Sequence, residues 1–412
     1  MTTDQHKPRR RFFRYSLRTL VIVVTVFCVW VAIVAKRAGH QRLTVEAVLG
    51  ASGQVRYEHQ RTDTDPPGPT SAATFAGLNS ASDIVVINVT NRTQKYKASA
   101  AKGRTFDARN ASFLISDTTH GIIRMEGDAR QTGMYWAGGY VSGDKPWNAS
   151  WNDWKYDPQT RNSTVIDNKA HSATVTGMHF FNVHDGPRSN NAFDWTVQHV
   201  WGEYVRDDSI ENDGLHSGKV LDSLFDGSYT GISTRPSSSN TSADGKWEVV
   251  TLDGVLLRLE ASPYPYNYET KPGIIDENGD PWDGTGIPYG HGNLFKYDKN
   301  DIDRNVHFVI KNSVFLLPHE NVPAEKLSFP PEELIDELSN VTVIWLGSGS
   351  FPGDLPTSKF PNGVTVLTGQ AGLDFWKEKV ADWHQRHPDV DPARKPADPG
   401  SIVFPKELPK WF

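Results

Sequence analysis

Cysteine is almost absent from this 412-residue chain, which contains only Cys28. Because Cys28 lies in an apolar stretch near the N-terminus, the main part of the chain can form neither a disulfide nor a thiolate metal site. A surplus of charge is missing too, since 43 basic residues are mixed with 49 acidic ones and the net charge is −6. Beyond the first 45 residues there is no basic patch interleaved with aromatics, so we expect no nucleic-acid partner.

Long apolar runs are missing except for one, which extends from Thr19 to Ala35. At about 1.5 Å per residue it reaches roughly 25 Å, and flanking side chains can extend it toward the 30 Å of a bilayer core. Six basic residues precede the run and three follow it. This bias predicts an uncleaved transmembrane anchor with a cytoplasmic N-terminus and an extracytoplasmic main domain, periplasmic or at the cell surface. A cleaved signal peptide is the alternative.

The motif R-Y-S-L-R-T-L at the start of this run resembles a membrane-anchor module of bacterial extracytoplasmic proteins. The sequence therefore divides into a basic tail and anchor (1–45), a juxtamembrane segment with a Pro-rich linker (46–80), a β-rich domain (81–370) and a helix with a Pro-rich tail (371–412). In the last segment, apolar residues spaced by 3, 4 and 3 from Leu373 to Trp383 predict an amphipathic helix. We expect its apolar face to cap an open sheet end.

Helical periodicity is otherwise missing between residues 82 and 373, where short apolar runs alternate with Gly, Asn and Asp turns. Runs with related patterns begin at Ala173, Trp195 and Gly218, and looser copies begin at residues 249, 306 and 341. A period in the low twenties with short strands predicts an all-β solenoid. A β-sandwich is the alternative, which would show the alternation without a fixed period.

The runs L-D-S-L-F-D-G and I-K-N-S-V-F-L-L make residues 80–370 resemble right-handed parallel β-helix proteins of the pectate-lyase-like superfamily. That resemblance implies lyase or hydrolase activity on a polysaccharide. Asp207–Asp208 and Gly290–His291–Gly292 also resemble two motifs of β-helix polygalacturonases. However, E-N-D follows the acidic pair, V-I-K stands in place of R-I-K, and 82 residues separate Asp208 from His291.

An acidic stretch, Y-V-R-D-D-S-I-E-N-D-G at residues 204–214, carries four carboxylates within seven positions. Alternation along a strand places Asp208 with Ile210 on the core side and the other three acids outside the core. An offset of 23 residues stacks Arg188 on Glu211, and the next coil brings Arg235 beside it. The predicted feature is a ladder flanked by a His/Asp cluster, and the candidate catalytic residues are His184, Arg188, Asp207, Glu211, Asp213 and Arg235.

Carboxylates two residues apart on a strand are roughly 6–7 Å apart, within the range of about 5–9.5 Å for glycosidase pairs. On a hydrolase mechanism Glu211 and either Asp207 or Asp213 are acid and base. On a lyase mechanism Arg188 or Arg235 neutralises a uronate. The alternative is a solvated turn and structural salt-bridge ladder in a non-catalytic surface protein that binds glycan or a protein partner along its solenoid face.

Aromatic side chains are concentrated between residues 135 and 156, in a loop rich in Gly, Asn and Asp. Indole faces can stack on sugar rings, although the same residues can simply pack the loop onto the solenoid. The candidate sugar-binding residues are Trp136, Trp147, Trp151, Trp154 and Tyr264. No cofactor is required by any motif, and calcium has one candidate loop, D-E-N-G-D at residues 276–280, which lacks the glycine and glutamate of a full calcium loop.

Overall fold

The computed structural model of the protein describes residues 84–390, except for 100–104, 117–120, 128–132, 145–163, 190–191, 237–239, 241, 264–273, 277–279, 285–288 and 319–321. The predicted membrane anchor, the linker and the C-terminal tail lie outside the described residues and stay predictions. Within the described ranges, no helix is long and apolar enough to cross a membrane.

Short strands recur on three faces, and the first face is a nine-stranded sheet. Its strands are β1 (Ile84–Val86), β3 (Thr105–Asp107), β6 (Tyr135–Ala137), β9 (Thr174–Thr176), β12 (Trp195–Gln198), β14 (Gly218–Leu221), β16 (Val249–Asp253), β21 (His307–Lys311) and β23 (Ile335–Ser339).

A 14-stranded sheet supplies the other two faces, because two long strands, β13 (Trp201–Glu211) and β15 (Leu224–Ser233), run through both. Face 2 adds β4 (Ser112–Ile115), β7 (Tyr140–Gly143), β10 (His179–Phe181), β17 (Leu256–Leu259), β22 (Val314–Leu317), β24 (Val341–Trp345) and β25 (Val364–Thr368). Face 3 adds β2 (Tyr96–Ser99), β5 (Ile123–Glu126), β8 (Thr164–Asn168), β11 (Asp185–Arg188) and β20 (Phe295–Lys296).

The remaining elements are small apart from one helix. Strands β18 (Ser262–Pro263) and β19 (Tyr289–Gly290) form an antiparallel pair. Helix α1 (Ala324–Leu327) is one turn long, and α2 (Gly369–Arg386) has 18 residues. Short 3₁₀ turns cover Ile302–Arg304, Glu332–Leu334 and Pro388–Val390.

The strands of the three faces pair in parallel, coil upon coil, as a β-helix or solenoid requires. The predicted repeat is confirmed, because Val175, Val197 and Val220 are direct partners on adjacent strands. Parallel pairing argues against the sandwich, whose sheets are antiparallel. One copy was misplaced, since the run from Val341 forms β24 on face 2 and the face-1 strand of that coil is β23.

The corner between faces 1 and 2 explains why Gly, Asn and Asp recur in the sequence. From β6 to β23, the residue that follows each face-1 strand has a positive φ, from 40° at Asp222 to 73° at Gly138. Glycine adopts this conformation freely, and Asn and Asp tolerate it better than other residues. Asn312 and Asn340 occupy the same corner position in later coils. These residues therefore set the tight turn by which the chain passes from one face to the next.

Helix α2 confirms the predicted amphipathic helix but not its predicted position. Its buried Trp376 and Trp383 pack against large apolar side chains that point outward from face 2. These face-2 residues are Trp201, Leu224, Leu256, Val314, Leu316 and Ile344. Such a strip would be a large exposed apolar patch, so the helix covers the side of the solenoid instead of its open end.

The C-terminal end of α2 is fixed to one corner residue. The Trp383 Nε1–H donates to the backbone oxygen of Asp222 at 3.0 Å. The Asp222 carboxylate accepts from Arg386 Nη1 at 2.5 Å and from His387 Nε2 at 2.9 Å. Burial works against the charged form of Asp222, but these two hydrogen bonds outweigh it and lower the pKa of Asp222.

We predict that Trp383→Ala lowers the free energy of unfolding by about 3–5 kcal/mol, because it removes a fully buried indole and its hydrogen bond. Chemical denaturation measures the change. Trp247→Ala is the matched control, since Trp247 is 83% exposed and its loss should change stability by less than about 0.5 kcal/mol. Equal effects of the two substitutions would contradict the docking of α2 described above.

Candidate functional site

A row of side chains, all charged except one serine, crosses face 3 with one member per coil. The backbone partners along this row are Lys97, Arg124, Asp167, Arg188, Glu211, Ser233 and Lys296. Opposite charges are neighbours at three steps, and two of these are ion pairs, with Arg124 Nε 3.7 Å from Asp167 Oδ2 and Arg188 Nε 3.4 Å from Glu211 Oε2. The predicted stacking of Arg188 on Glu211 is confirmed.

The prediction that Arg235 is the third member of the ladder is wrong. The partner of Glu211 on the following coil is Ser233, and Arg235 is exposed outside the row. On the coil that follows Ser233, the residue in the row is Lys296. Sequence reasoning missed Lys296 because more than 60 residues separate it from Ser233 and hide the period. The available signal was its neighbour Phe295, which continues the buried positions of Ile210 and Ile232.

The predicted His/Asp cluster lies at the start of the same strands. The Asp207 N–H donates to the His184 carbonyl at 2.7 Å, so the two residues lie on adjacent coils. The His184 ring places Nδ1 3.1 Å from Asp185 Oδ2 and Nε2 4.0 Å from Asp207 Oδ2. Asp208 is bound by Lys296, whose Nζ lies 2.8 and 3.0 Å from its two carboxylate oxygens.

Two details of the predicted alternation need correction. Ile210 packs in the apolar core as expected, but Asp208 binds Lys296, whose backbone is in line with Glu211. A register irregularity lies between Val205 and Asp208, just before this pair of residues. The acids are also buried instead of solvated, with Asp207 and Asp213 each 9% exposed and Asp208 3% exposed.

The acidic cluster, as we name it, contains more carboxyl groups than cations. Its members are Asp185, Asp207, Asp208, Glu211, Asp213, Arg188, Lys296 and His184. Five carboxyl groups thus share two permanent cations and one imidazole. Burying a carboxylate without a full counter-charge is costly, so a carboxyl in such a cluster tends to keep its proton.

The pKa values of the acidic cluster show this competition. Burial raises the pKa of Asp208 to about 6, and Asp207 and Asp185 add to the rise while Lys296 opposes it. Burial opposes the charge on Lys296 as well, yet Asp208 and Asp207 outweigh it and raise the pKa of Lys296. Crowding of the acids contributes to both shifts, because neighbouring carboxylates repel one another and attract the ammonium. His184 outweighs the burial of Asp185 and lowers the pKa of Asp185.

Glu211 and Asp213 form a coupled carboxyl pair. Burial raises the pKa of Glu211 well above its usual range, and Asp185 and Asp213 raise it further against the opposing charge of Arg188. The pKa of Asp213 is raised by burial and by Asp208, while a hydrogen bond from Glu211 lowers it. Glu211 is therefore the group that holds the proton, and Asp213 accepts its hydrogen bond.

Besides protonation, a bound metal ion is a second way to compensate the negative charge of such a cluster. His184, Asp185 and Asp207 offer ligand atoms that lie within 4.8 Å of one another, and so do His199, Asp222 and His387 at the end of α2. In the second group, Arg386 already binds the Asp222 carboxylate. In the first group, Lys296 and Arg188 lie in the same cluster, and a nearby ammonium and guanidinium disfavour a further cation.

Of the five aromatic residues that were predicted to bind sugar, only Trp136 lies within the described residues. Trp136 is fully buried and stacks on Phe106, with ring centroids 6.1 Å apart and an interplanar angle of 17°. Its Nε1–H donates to the Gly138 carbonyl at 2.9 Å. The prediction that Trp136 binds sugar is therefore wrong, because the indole is a core residue. The other candidates, Trp147, Trp151, Trp154 and Tyr264, lie outside the described residues.

His291 lies closer to the acidic cluster than its sequence position indicates. The Gly292 N–H donates to the Tyr229 carbonyl at 2.7 Å, which places this segment one coil beyond β15 and two coils beyond Asp208. His291 is fully buried, and burial lowers its pKa to about 3.

At the candidate calcium loop, Asp276 Oδ1 accepts the Asp280 N–H at 2.9 Å, which closes a turn. Calcium binding there stays a prediction.

Comparisons with family models, curated proteins and solved structures found no match to this chain. The chain is therefore classified by its own geometry, as a solenoid of stacked parallel strands that carries a buried acidic cluster on one face.

The acidic cluster predicts a pH-dependent stability. Because the pKa of Glu211 is raised in the folded protein, the folded state holds the proton more tightly than the unfolded chain. The contribution of Glu211 to stability is then largest at low pH, and it falls by about 1.4 kcal/mol per pH unit between the ordinary carboxyl pKa and the raised one.

Glu211→Gln carries no titrating proton, so we predict that this variant gains stability relative to wild type as pH rises from 5 to 8. Chemical denaturation across this range measures the difference. Glu337→Gln, at an exposed glutamate on face 1, is the control and should show no such trend. A difference between Glu211→Gln and wild type that does not vary with pH would contradict the raised pKa.

Proposed function

We propose that this protein is an extracytoplasmic polysaccharide hydrolase, with the fold of a right-handed parallel β-helix of the pectate-lyase-like kind, held at a membrane by its N-terminal segment. The observation that carries the proposal is the excess of buried carboxyl groups in the acidic cluster. A structural ladder would match each acid with a cation, whereas five carboxyls here share Arg188, Lys296 and His184. Groups with strongly perturbed pKa values in one place are typical of active sites.

Glu211 is the general acid in this proposal. Its raised pKa favours the protonated carboxyl that a general acid needs, and Asp213 and Arg188 hold the carboxyl in place. The Glu211 proton passes to the glycosidic oxygen as the bond from that oxygen to the anomeric carbon breaks. The leaving sugar therefore departs as a neutral alcohol.

Asp208 is the base that activates water, with Asp207 beside it. Its pKa of about 6 leaves it ionised at neutral pH, and Lys296 fixes its orientation through both oxygens. Positions three apart on a strand are about 10 Å apart. This backbone separation is nearer to the carboxyl spacing of inverting enzymes, about 6.5–9.5 Å with room for water, than to the spacing of about 5–5.5 Å in retaining enzymes, so we assign inversion at the anomeric carbon. Asp208 then takes a proton from the water that attacks that carbon.

Lyase chemistry is less well supported by the arginines. An arginine base must lose its proton, but Glu211 and Asp185 outweigh the effect of burial and raise the pKa of Arg188. Arg235 is exposed outside the row. We therefore assign to Arg188 the orientation of Glu211 and, for an acidic sugar, contact with its carboxylate.

A non-catalytic glycan-binding role is the second candidate. The ion pairs Arg124–Asp167 and Arg188–Glu211 on successive coils favour it, because such pairs also hold the coils of a solenoid together. The two candidates differ in what they require of Glu211. Hydrolysis needs its proton, whereas a structural ladder needs its negative charge.

A panel of neutral and acidic polysaccharides distinguishes these candidates when new reducing ends and unsaturated products are both measured. We predict reducing ends without unsaturated product, and a loss of about 10²–10⁴-fold in kcat for Glu211→Gln. Glu337→Gln should retain wild-type activity. Unchanged turnover in Glu211→Gln would contradict the assigned acid, unsaturated product would indicate a lyase, and a panel without any cleavage would favour the binding role.

A further inference from the structure

A groove of about 710 Å³ lies between α2 and the corner that joins faces 1 and 2. This volume falls within the range of about 300–1,000 Å³ that is usual for ligand sites. One wall is the corner itself, with Asp253, Asn312 and Asn340 on successive coils. The other wall is α2, with Lys379 and Arg386 among its side chains.

The corner wall is a hydrogen-bonded row of amides. The Asn340 Nδ2–H donates to Asn312 Oδ1 at 2.8 Å, and the Asn312 Nδ2–H donates to Asp253 Oδ1 at 2.8 Å. Each bond uses only one of the two amide hydrogens and one of the two oxygen lone pairs. Asn312 and Asn340 are both exposed, so the remaining donors and acceptors can reach a ligand.

Of the five charged side chains that line the groove, Asp222, Asp382 and Arg386 are paired with one another, and Asp253 accepts a hydrogen bond from Asn312. Arg386 binds Asp222 at 2.5 Å and Asp382 at 3.0 Å. The Lys379 ammonium lies 5.1 Å from the centre of the Phe375 ring. A charged ligand would have to break these contacts, so the groove favours a neutral ligand with many hydroxyl groups.

The groove also matches the shape of a sugar chain. Its lining includes the apolar Leu256, Val314 and Phe375 between the two polar walls, and a pyranose ring likewise has apolar faces and a polar rim. The polar groups of the corner repeat once per coil, about 4.8 Å apart. This repeat is close to the length of one sugar unit along an extended chain. From Asp222 to Asn340 there are three coil steps, or roughly 14 Å.

We propose that this groove binds a neutral oligosaccharide segment of about three sugar units, with the Asn312–Asn340 row and α2 as its two walls. It is a second glycan site, distinct from the acidic cluster on face 3. It requires no catalysis, so it holds whether or not the protein is a hydrolase.

Calorimetric titration of the full chain tests the groove, with cellohexaose, laminarihexaose and maltohexaose as neutral probes and hexagalacturonate as the anionic one. We expect binding of at least one neutral hexasaccharide, at least tenfold tighter than that of hexagalacturonate. The double variant Asn312→Gly and Asn340→Gly should weaken this binding at least tenfold. Glycine suits the positive φ of both positions, so the amides are removed without straining the corner.

A second variant, Phe375→Leu, keeps an apolar side chain against face 2 and should also weaken binding at least tenfold. Lys377→Ala, at an exposed lysine of α2 outside the groove, is the matched control and should leave it within twofold. If no neutral hexasaccharide binds, if both groove variants bind normally, or if only Glu211→Gln abolishes binding, the groove is not the site. Failure of hydrolysis alone leaves these results unchanged.

Discussion

The parallel hydrogen bonding between successive coils is the constraint on which the rest of the structure depends. It stacks residues about 22 or 23 positions apart, so that one side chain per coil lies above the next. Side chains that stack inside the solenoid form the apolar core. Side chains that stack on its outside form rows of residues at equivalent positions of successive coils. Arg188 meets Glu211 for this reason, and the same register brings Lys296 into the row from a segment remote in sequence. A solenoid thus concentrates charge wherever several coils carry acids at one position.

Grouping acidic side chains costs free energy, and only their burial makes this cost large. Exposed acids on successive coils would be solvated and screened, but Asp207, Asp208 and Asp213 are buried, and burial contributes most to the raised pKa values of Asp208 and Glu211. The cluster reduces that cost in two ways: Lys296 binds Asp208, and Glu211 keeps a proton that it donates to Asp213. An acid that is protonated beside a base that is ionised is the combination that glycoside hydrolysis uses.

The features that follow from local pattern could be predicted from the sequence, whereas those that depend on long insertions could not. The period of Val175, Val197 and Val220 predicted the solenoid and the stacking of Arg188 on Glu211, because no insertion separates those coils. Lys296 was missed since the period is lost between Ser233 and Phe295. The 3–4–3 spacing predicted α2, yet its position depended on outward apolar residues from five face-2 strands far apart in sequence. The burial of Trp136 was missed because a loop composition hides a strand.

The most direct test of the account is whether Glu211 is protonated at neutral pH. Infrared difference spectroscopy between the wild type and Glu211→Gln at pH 7 measures this, because a protonated carboxyl has a C=O stretching band separate from that of a carboxylate. The account predicts a protonated-carboxyl band in the wild type that is lost in the variant and that weakens in the wild type as pH is raised. A wild-type spectrum in which Glu211 contributes only a carboxylate band would contradict it.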